Sequence, residues 1–525
     1  MNSKLKLSHT KFHLSIIVVL SLAASFATCY FATPSVFGGR DQGAIATAAI
    51  DLAEYKSFTF STPVSRDLFQ KYGAGKALNY PGFDYTKDGQ LTSRFPKAYI
   101  AYLAIGYKFF GLKGLQYANL LPLFLFLFLF WLTLRYFFSE KISFLGFLVA
   151  ATFFPFLWFA KYTLTEIFML FLVWAGIYFL TSYRRGLIST KAIYFSLTFF
   201  AFSALARIEG IIFFLLAAGY AYALDRKKIV ALPKNFKKYA LVFSLLLIIA
   251  CAYFNFPTLL DSLKNFAKTF LPNSTKDSAP SANLYSHLAR VFFSYNIVLY
   301  LIFGLTGIFW LFKNTKKNWP RLEYIPLLIT FPAFFYLLSP QISLDDPWLL
   351  RRFVFAVFPV LIFYSIYLLD RFFYHKIFLH IILVALILGN FVISWRFLPV
   401  SENKGLLPQI EKISQKFGPE DLVLVDRMAT GSGFSLMSEP MASLFGKNAV
   451  YFFNADDLKL IDRAKYKNIY LAVPAEDGKK WYTGVEKLPA GFSVITNNFL
   501  EPSEKKWGLA INTEFEGAII FWKVK

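Results

Sequence analysis

Acidic residues are sparse in this sequence, and several stand where apolar runs begin or end. Asp41 lies in VFGGRDQGAIATAAIDLAEY, beside Arg40 and just after an apolar run from Phe12 to about Thr33. Glu166 opens a later run in KYTLTEIFMLFLVW, and Arg207 and Glu209 separate two more in SALARIEGIIFF. Asp345, Asp346, Arg351 and Arg352 precede another in SLDDPWLLRRFVFAVFP. Carboxylates so placed can accept a proton or hold a cation, and guanidiniums can grip an oxyanion through paired hydrogen bonds. Each residue also has a structural reading. Glu166 can complement a helix dipole, Arg207 and Glu209 can pair with each other, and Arg351 and Arg352 can snorkel. Asp345-Asp346 can shape a turn before Pro347. Joint placement is what argues for a polar cavity lined by several helix ends.

The elements that must position these groups are membrane helices. The 525 residues are 56% hydrophobic and 20% aromatic, too apolar for a fold that must cover itself with polar side chains. The apolar residues come in blocks long enough to cross about 30 Å of hydrocarbon as helices. Eleven spans are expected, at 12–34, 115–138, 142–160, 163–182, 191–206, 208–224, 238–256, 291–312, 323–339, 353–369 and 377–397. The run at 12–34 is longer than the apolar core of a signal peptide and is read as a span.

Charge then orients the chain. With the N-terminus in the cytoplasm, the inside segments hold twenty basic residues and the short outside loops eight, which is the asymmetry expected of cytoplasmic loops. All these catalytic candidates then fall on the outer side. The net charge of +23 lies entirely in residues 1–399, because 400–525 carry sixteen basic and sixteen acidic side chains. The excess suits cytoplasmic loops and anionic lipid and gives no reason to invoke a nucleic acid. Cys29 and Cys251 lie inside expected spans, so neither a disulfide framework nor a cysteine metal site is indicated.

Two segments are expected outside the bilayer. Residues 35–113 form a long first outer loop that ends in an amphipathic surface stretch, AYIAYLAIGYKFFG. Residues 400–525 alternate helical patterns (GLLPQIEKISQKF, ADDLKLIDRAK) with short strands (DLVLV, AVYFF, NIYLAV, GFSVI, GAIIFWKV), the pattern of a small exocytoplasmic α/β domain. The fold class read from sequence is thus a polytopic α-helical membrane protein, residues 1–399, followed by that domain.

The order of these features resembles the GT-C superfamily of membrane glycosyltransferases, near the protein O-mannosyltransferases and the lipid A aminoarabinose transferases. In that pattern the first span leads at once to an acidic motif, often Asp-Glu, matched here by Asp41-Gln42 in GGRDQGAIATAA. The loop continues with DGQLTSRFPKAYIAYLAIGYKFFG, in which Asp88, Gly89, Ser93 and Pro96 keep step with the family. Glu166 corresponds to a second acid at the head of a later span. LARIEGIIFFLL and RRFVFAVFPVLI are similar to the family's later turns. The resemblance covers about residues 12–370. It departs at Gln42, where relatives carry the second acid, and at Lys97, where they often continue with Pro or Gly.

The resemblance implies sugar transfer at the outer face of the cell membrane, from a polyprenyl-phosphate donor to a lipid, glycan or protein acceptor, by an inverting hexosyl- or pentosyltransferase. Asp41 is then the candidate base. Glu166 either orients the acceptor with it or joins it in holding a divalent cation (Mg or Mn). Arg351, Arg352, Lys97 and Arg94 are candidates for the donor phosphate, and Arg40, Arg207 and Glu209 for supporting them. No phosphate-cradling glycine loop for a nucleotide sugar is present in the sequence. The alternative is a transporter or lipid flippase, which commonly shows internal repeats and mid-bilayer charges; neither is evident here. Asn273-Ser274-Thr275 is a glycosylation sequon in an outer loop.

Overall fold

The structure, a computed structural model, describes residues 7–186, 191–251, 253, 282–315, 321–338, 345–373, 376–431, 433, 436–475, 482, 485–487, 493–505 and 507–524. The sequon at 273–275 lies outside the described residues.

Helix α1 (Leu7–Tyr30) leads to a turn at Gly39, whose φ of 90° suits glycine. Helix α2 (Asp41–Tyr55) starts with the candidate base itself. Gly43 permits that tight start, since a Cβ there would lie 1.6 Å from the Phe37 carbonyl oxygen. The rest of the first loop is well structured. Helix α3 (Pro63–Tyr72) is capped reciprocally by Thr62 and Ser65. Strands β1 (Thr59–Phe60), β2 (Gly75–Lys76), β3 (Phe83–Tyr85) and β4 (Leu91–Ser93) pair antiparallel in the order β1-β4-β3-β2. Helix α4 (Lys97–Phe110) is the expected surface helix. It packs on α2, burying Tyr99, Ile100 and Leu103, and leaves Ile105, Phe109 and Phe110 exposed.

The bundle continues through α5 (Leu112–Gln116), α6 (Leu120–Leu134), α7 (Glu140–Ala151), α8 (Phe154–Ala160), α9 (Thr165–Arg185), α10 (Ala192–Ala206) and α11 (Glu209–Arg226). Later helices include Val298–Thr315, Val357–Phe372 and Lys376–Phe397. Among the described residues three helices are long and apolar enough to cross a membrane: Leu112–Leu134, Thr165–Arg185 and Lys376–Phe397. Two bent pairs bring the number to five, α7 with α8 at 50° and Leu284–Ser294 with Val298–Asn314 at 99°. The run expected as one span at 142–160 therefore bends, beside Pro155, which cannot donate to the helical ladder. The run at 323–339 is likewise broken into short turns between Leu322 and Leu338, with Pro326 and Pro332 at two of the junctions.

Small and amide side chains hold the bundle together, as apolar helices in lipid require. Gly307 lets Val298–Thr315 meet Val357–Phe372 closely, since a Cβ would come within 2.2 Å of the Tyr364 carbonyl oxygen. Asn390 donates to the Tyr300 hydroxyl at 2.8 Å and to the Val149 carbonyl at 3.2 Å, joining three helices. Lys161, buried after α8, donates to the carbonyls of Phe397, Leu398 and Val400 at 2.6–2.7 Å, which fixes where the chain leaves its last long helix.

Beyond residue 400 the expected strands form as β5 (Leu422–Asp426), β6 (Asn448–Phe452), β7 (Ile469–Pro474), β9 (Ser493–Glu501) and β10 (Ile511–Val524), with a further β8 at Val485–Lys487. Strand β5 runs parallel to β6 and β7, while β10 pairs antiparallel with β7, β8 and β9. GLLPQIEKISQKF is helical over Leu406–Ser414. ADDLKLIDRAK is not an α-helix but two 3-10 turns, Ala455–Leu460 and Arg463–Lys465. Asn454 and Asp462 accept from the backbone amides of Asp456 and Ala464, and such local bonds compete with helix propagation.

This sheet is fastened to the first loop by charge. The side chain of Asp457 is fully buried and accepts from Lys71 Nζ at 2.7 Å and from the Tyr72 hydroxyl at 2.6 Å. Lys465 reaches Asp67 at 2.6 Å, and Asn79 donates to the Tyr451 carbonyl at 2.8 Å. Asp457→Ala strands a lysine and a phenol at this junction. A loss of about 1–3 kcal/mol is expected, visible as a lower Tm and as faster proteolysis within 61–80; unchanged cleavage there would show that the junction holds without it.

Candidate active site

Five of the charged residues picked out from sequence meet at the end of the bundle that carries the sheet. Asp41 sits in the first turn of α2 and Glu166 in the first turn of α9, where the positive end of the helix dipole favours a carboxylate. Arg351, in the 3-10 turn Trp348–Phe353, lies between them. Its Nη1 is 2.6 Å from Asp41 Oδ2 and its Nε 2.7 Å from Glu166 Oε1. Arg207, in the extended link between α10 and α11, binds the same Glu166 oxygen through Nη1 at 3.0 Å and Glu209 through Nη2 at 2.9 Å. Burial disfavours the Arg207 charge, but Glu209 and Glu166 outweigh it and raise its affinity for the proton. The Tyr336 hydroxyl donates to Glu209 at 2.5 Å. The result is a continuous chain of charge from Asp41 through Arg351, Glu166, Arg207 and Glu209 to Tyr336.

The ends of this chain differ from its middle. Glu166 is fully buried, and its Oε2 has no hydrogen-bond partner among the described residues. Asp41 has a side chain 41% exposed. At the other end Arg352 lies over the Tyr336 ring at 5.9 Å and forms no ion pair among the described residues. Burial, together with the charges of Arg207 and Arg351, pushes its guanidinium down from the ordinary value. It is a cation in need of an anion.

The remaining candidates lie elsewhere. Lys97 is buried at the start of α4, donating to the Ser93 carbonyl at 2.7 Å and the Thr92 hydroxyl at 3.0 Å, and burial pushes it down to about 8. Arg94 pairs with Asp84 at 3.0 Å. Both make their contacts within the first loop. Arg40 pairs with Asp345 at 3.5 Å and lies over the Trp348 ring at 4.7 Å. Asp346 is buried close to Tyr295 and Arg290.

Tyr336 and Trp348 were not singled out from sequence. Tyr336 is one aromatic among many in an apolar run. Trp348 carried a usable signal, since it is flanked by the charged DDP and RR pairs.

A groove of about 820 Å³ runs beside the site between Leu284–Ser294, Val298–Asn314 and the broken run 322–338. Its walls include Leu288, Leu301, Ile308, Phe312, Phe334 and Phe335. It adjoins the charged cluster in two ways. Phe334 and Phe335 immediately precede Tyr336, and Phe292 packs edge-on against Phe353, the residue after Arg352, at 5.6 Å. An apolar groove is thus walled by residues that adjoin Tyr336 and Phe353, the neighbour of Arg352, in sequence or by packing.

The described residues contain no cluster of three or more His, Cys, Asp or Glu that could hold a metal ion. The Arg351 guanidinium already lies between Asp41 and Glu166, the two carboxylates that would hold it.

No protein-family model and no curated protein matches the sequence. Solved structures do match. The chain is similar to ArnT, the lipid A aminoarabinose transferase, from Cupriavidus metallidurans, with a TM-score of 0.55, 12% identity and 98% of each chain covered in the apo state. For ArnT bound to undecaprenyl phosphate the TM-score is 0.56, with 12% identity over 96% of this chain and 97% of that one. The archaeal oligosaccharyltransferase AglB from Archaeoglobus fulgidus, in complex with an inhibitory peptide and a dolichol-phosphate, gives 0.53 and 12% over 89% of this chain and 70% of its own. An AglB structure with Zn and sulfate gives 0.52 and 14%, over 95% and 73%. These neighbours belong to the GT-C superfamily, so the fold is the GT-C fold that the sequence resembles.

Burial raises the Asp346 carboxyl from 3.8 to about 6, with the Tyr295 hydroxyl and the Arg290 charge pulling the other way. The fold therefore favours its protonated form. No penalty exists below about pH 4; it grows as pH rises toward 6 and stays constant above, reaching about 3 kcal/mol by linkage. Asp346→Asn escapes this titration. Its Tm should exceed that of the wild type above pH 6 and converge with it near pH 4, and a constant difference across that range would contradict the reading.

Proposed function

We propose that the protein transfers a sugar from a polyprenyl-phosphate donor to an acceptor hydroxyl at the outer face of the cell membrane, with its N-terminus cytoplasmic. The observation that carries this reading is Arg352, a guanidinium with no carboxylate partner among the described residues, over the Tyr336 ring beside the charged cluster and next in sequence to Phe353, which packs on Phe292 of the apolar groove. A prenyl chain suits the groove and its phosphate suits Arg352, so the sugar would project toward Asp41. Binding of undecaprenyl phosphate by ArnT and of dolichol-phosphate by AglB supports a lipid-linked donor.

The chemistry is one displacement. The acceptor oxygen attacks the anomeric carbon while the bond from that carbon to the phosphate oxygen breaks, inverting the anomeric centre. The acceptor proton passes to the Asp41 carboxylate. The bonding electrons leave with the polyprenyl phosphate, and Arg352 meets the added negative charge. Glu166 is too buried and too fully engaged by guanidiniums to move a proton freely. It holds Arg351, and through it Asp41, in place. Of the four basic candidates, Arg352 is given the phosphate, Arg351 the orientation of the acids, and Lys97 and Arg94 the stability of the first loop.

The test is turnover of polyprenyl-phosphate sugars beside nucleotide sugars by the protein in lipid nanodiscs, with membrane extract as acceptor. Transfer is expected from the lipid donor alone. Asp41→Asn should lower kcat by roughly 10²–10⁴-fold, the contribution of a general base. Arg352→Ala should weaken donor binding, and Lys447→Gln, which alters only a contact to the Phe417 carbonyl, should leave transfer intact. Full activity in Asp41→Asn would remove the base. Lipid movement across the bilayer without sugar transfer would favour the flippase reading.

A further inference from the structure

A second cavity, of about 200 Å³, lies on the other side of Asp41, where the first loop meets the sheet. Its walls include Arg40 and Gln42, the residues flanking Asp41, with Tyr162 from the loop before α9 and Glu402, Asn403 and Glu501 from beyond residue 400. The roof is fixed by Thr33, whose amide donates to the Ser401 hydroxyl at 3.1 Å and whose hydroxyl donates to the Glu402 carbonyl at 3.2 Å. One wall is fixed by Trp348, which donates from Nε1 to Glu402 Oε1 at 3.2 Å while its ring carries Arg40.

The polar groups at this cavity have a consistent character. Gln42 is only 6% exposed and lines the cavity, where its side-chain amide can both donate and accept a hydrogen bond. The cavity holds two carboxylates, Glu402 and Glu501, against one guanidinium, Arg40, and that guanidinium is already engaged by Asp345. An anion placed here would meet unfavourable charge. An uncharged group rich in hydroxyls would find an amide that both donates and accepts, carboxylate acceptors, and aromatic faces at Phe37 and Tyr162. The volume lies below the roughly 300–1,000 Å³ of pockets that enclose a drug-sized ligand, so it suits one small polar unit.

Resting on the glycosyltransferase reading above, we propose that this cavity is the acceptor subsite and that it takes an uncharged sugar ring, not a phosphate-bearing group. Asp41 then stands between donor and acceptor sites, with its neighbours Arg40 and Gln42 in the acceptor wall.

The proposal is tested with the full chain in nanodiscs, by saturation-transfer NMR on methyl glycosides and on the corresponding sugar phosphates. In the Arg352→Ala variant, which lacks the phosphate site proposed above, neutral methyl glycosides should bind and sugar phosphates should not. Gln42→Leu removes the amide at similar volume and should weaken glycoside binding about tenfold. Leu436→Trp, which fills the cavity from the sheet side, should abolish it, and Lys447→Gln should change nothing. Undecaprenyl-phosphate binding, measured on the same nanodiscs, reports the donor reading and the folding of each variant separately. Loss of that binding in the wild type with glycoside binding intact would overturn the donor assignment and keep the cavity. Absence of glycoside binding in the wild type, equal binding of sugar phosphates in Arg352→Ala, or undiminished binding in both cavity variants would each overturn the cavity proposal.

Discussion

The site depends on where Arg351 puts its charge. It stands 310 residues after Asp41 in the sequence, yet its guanidinium lies 2.6 Å from Asp41 and 2.7 Å from Glu166. Two carboxylates brought this close repel one another unless a cation stands between them, and an ionised acid at a helix end in an apolar setting is costly without a partner. Arg351 therefore ties the start of α2, the start of α9 and the turn ahead of Val357–Phe372 to one point. Arg207 repeats the device one step deeper, between Glu166 and Glu209.

Other features of the fold serve this convergence. Gly39 and Gly43 let α2 start tightly at the end of the ten-residue link from α1, which delivers Asp41 to the bundle end. The bend between α7 and α8 and the three carbonyls held by Lys161 set the path into α9, and so the position of Glu166. The sheet packs over the same end, fastened by Asp67 and Asp457 to α3 and its surroundings. One face of it, with Val423, Val425 and Phe521, shares the hydrophobic core of the helices, while the other, with Leu422, Leu424 and Trp522, forms a separate core with Val64 and Leu68 of α3.

Charges at the ends of apolar runs made Asp41, Glu166, Arg207, Glu209 and Arg351 legible in sequence, because an ionised side chain there has few cheap explanations. The same rule misjudged Lys97 and Arg94. Both lie on the side assigned to the site, but sequence cannot tell which loop residues turn inward, and local partners on β3 and β4 claim them. Tyr336 and Trp348 were hidden for the opposite reason, since a useful phenol or indole looks like any other aromatic in a chain with 64 Phe and 30 Tyr. In the sheet region, strands were readable from alternating apolar residues. ADDLKLIDRAK misled because its acids serve as caps and as a partner for Lys71 rather than as a solvated helix face.

The order of the charged groups separates support from chemistry. Counting outward, Glu166, Arg207 and Glu209 are buried and ion-paired with one another, so moving a proton or a phosphate onto any of them would disturb a pairing made in low dielectric. Asp41 and Arg352 are different. The first is the most exposed acid of the chain of charge; the second has no acid partner among the described residues. On the proposed reading a sugar must lie between a proton acceptor and a cation that receives the departing phosphate. Only the two ends of the network combine those properties with access. The interior then acts as a rigid spacer that fixes how far apart base and phosphate site can be, which is why its residues can be indispensable without touching substrate.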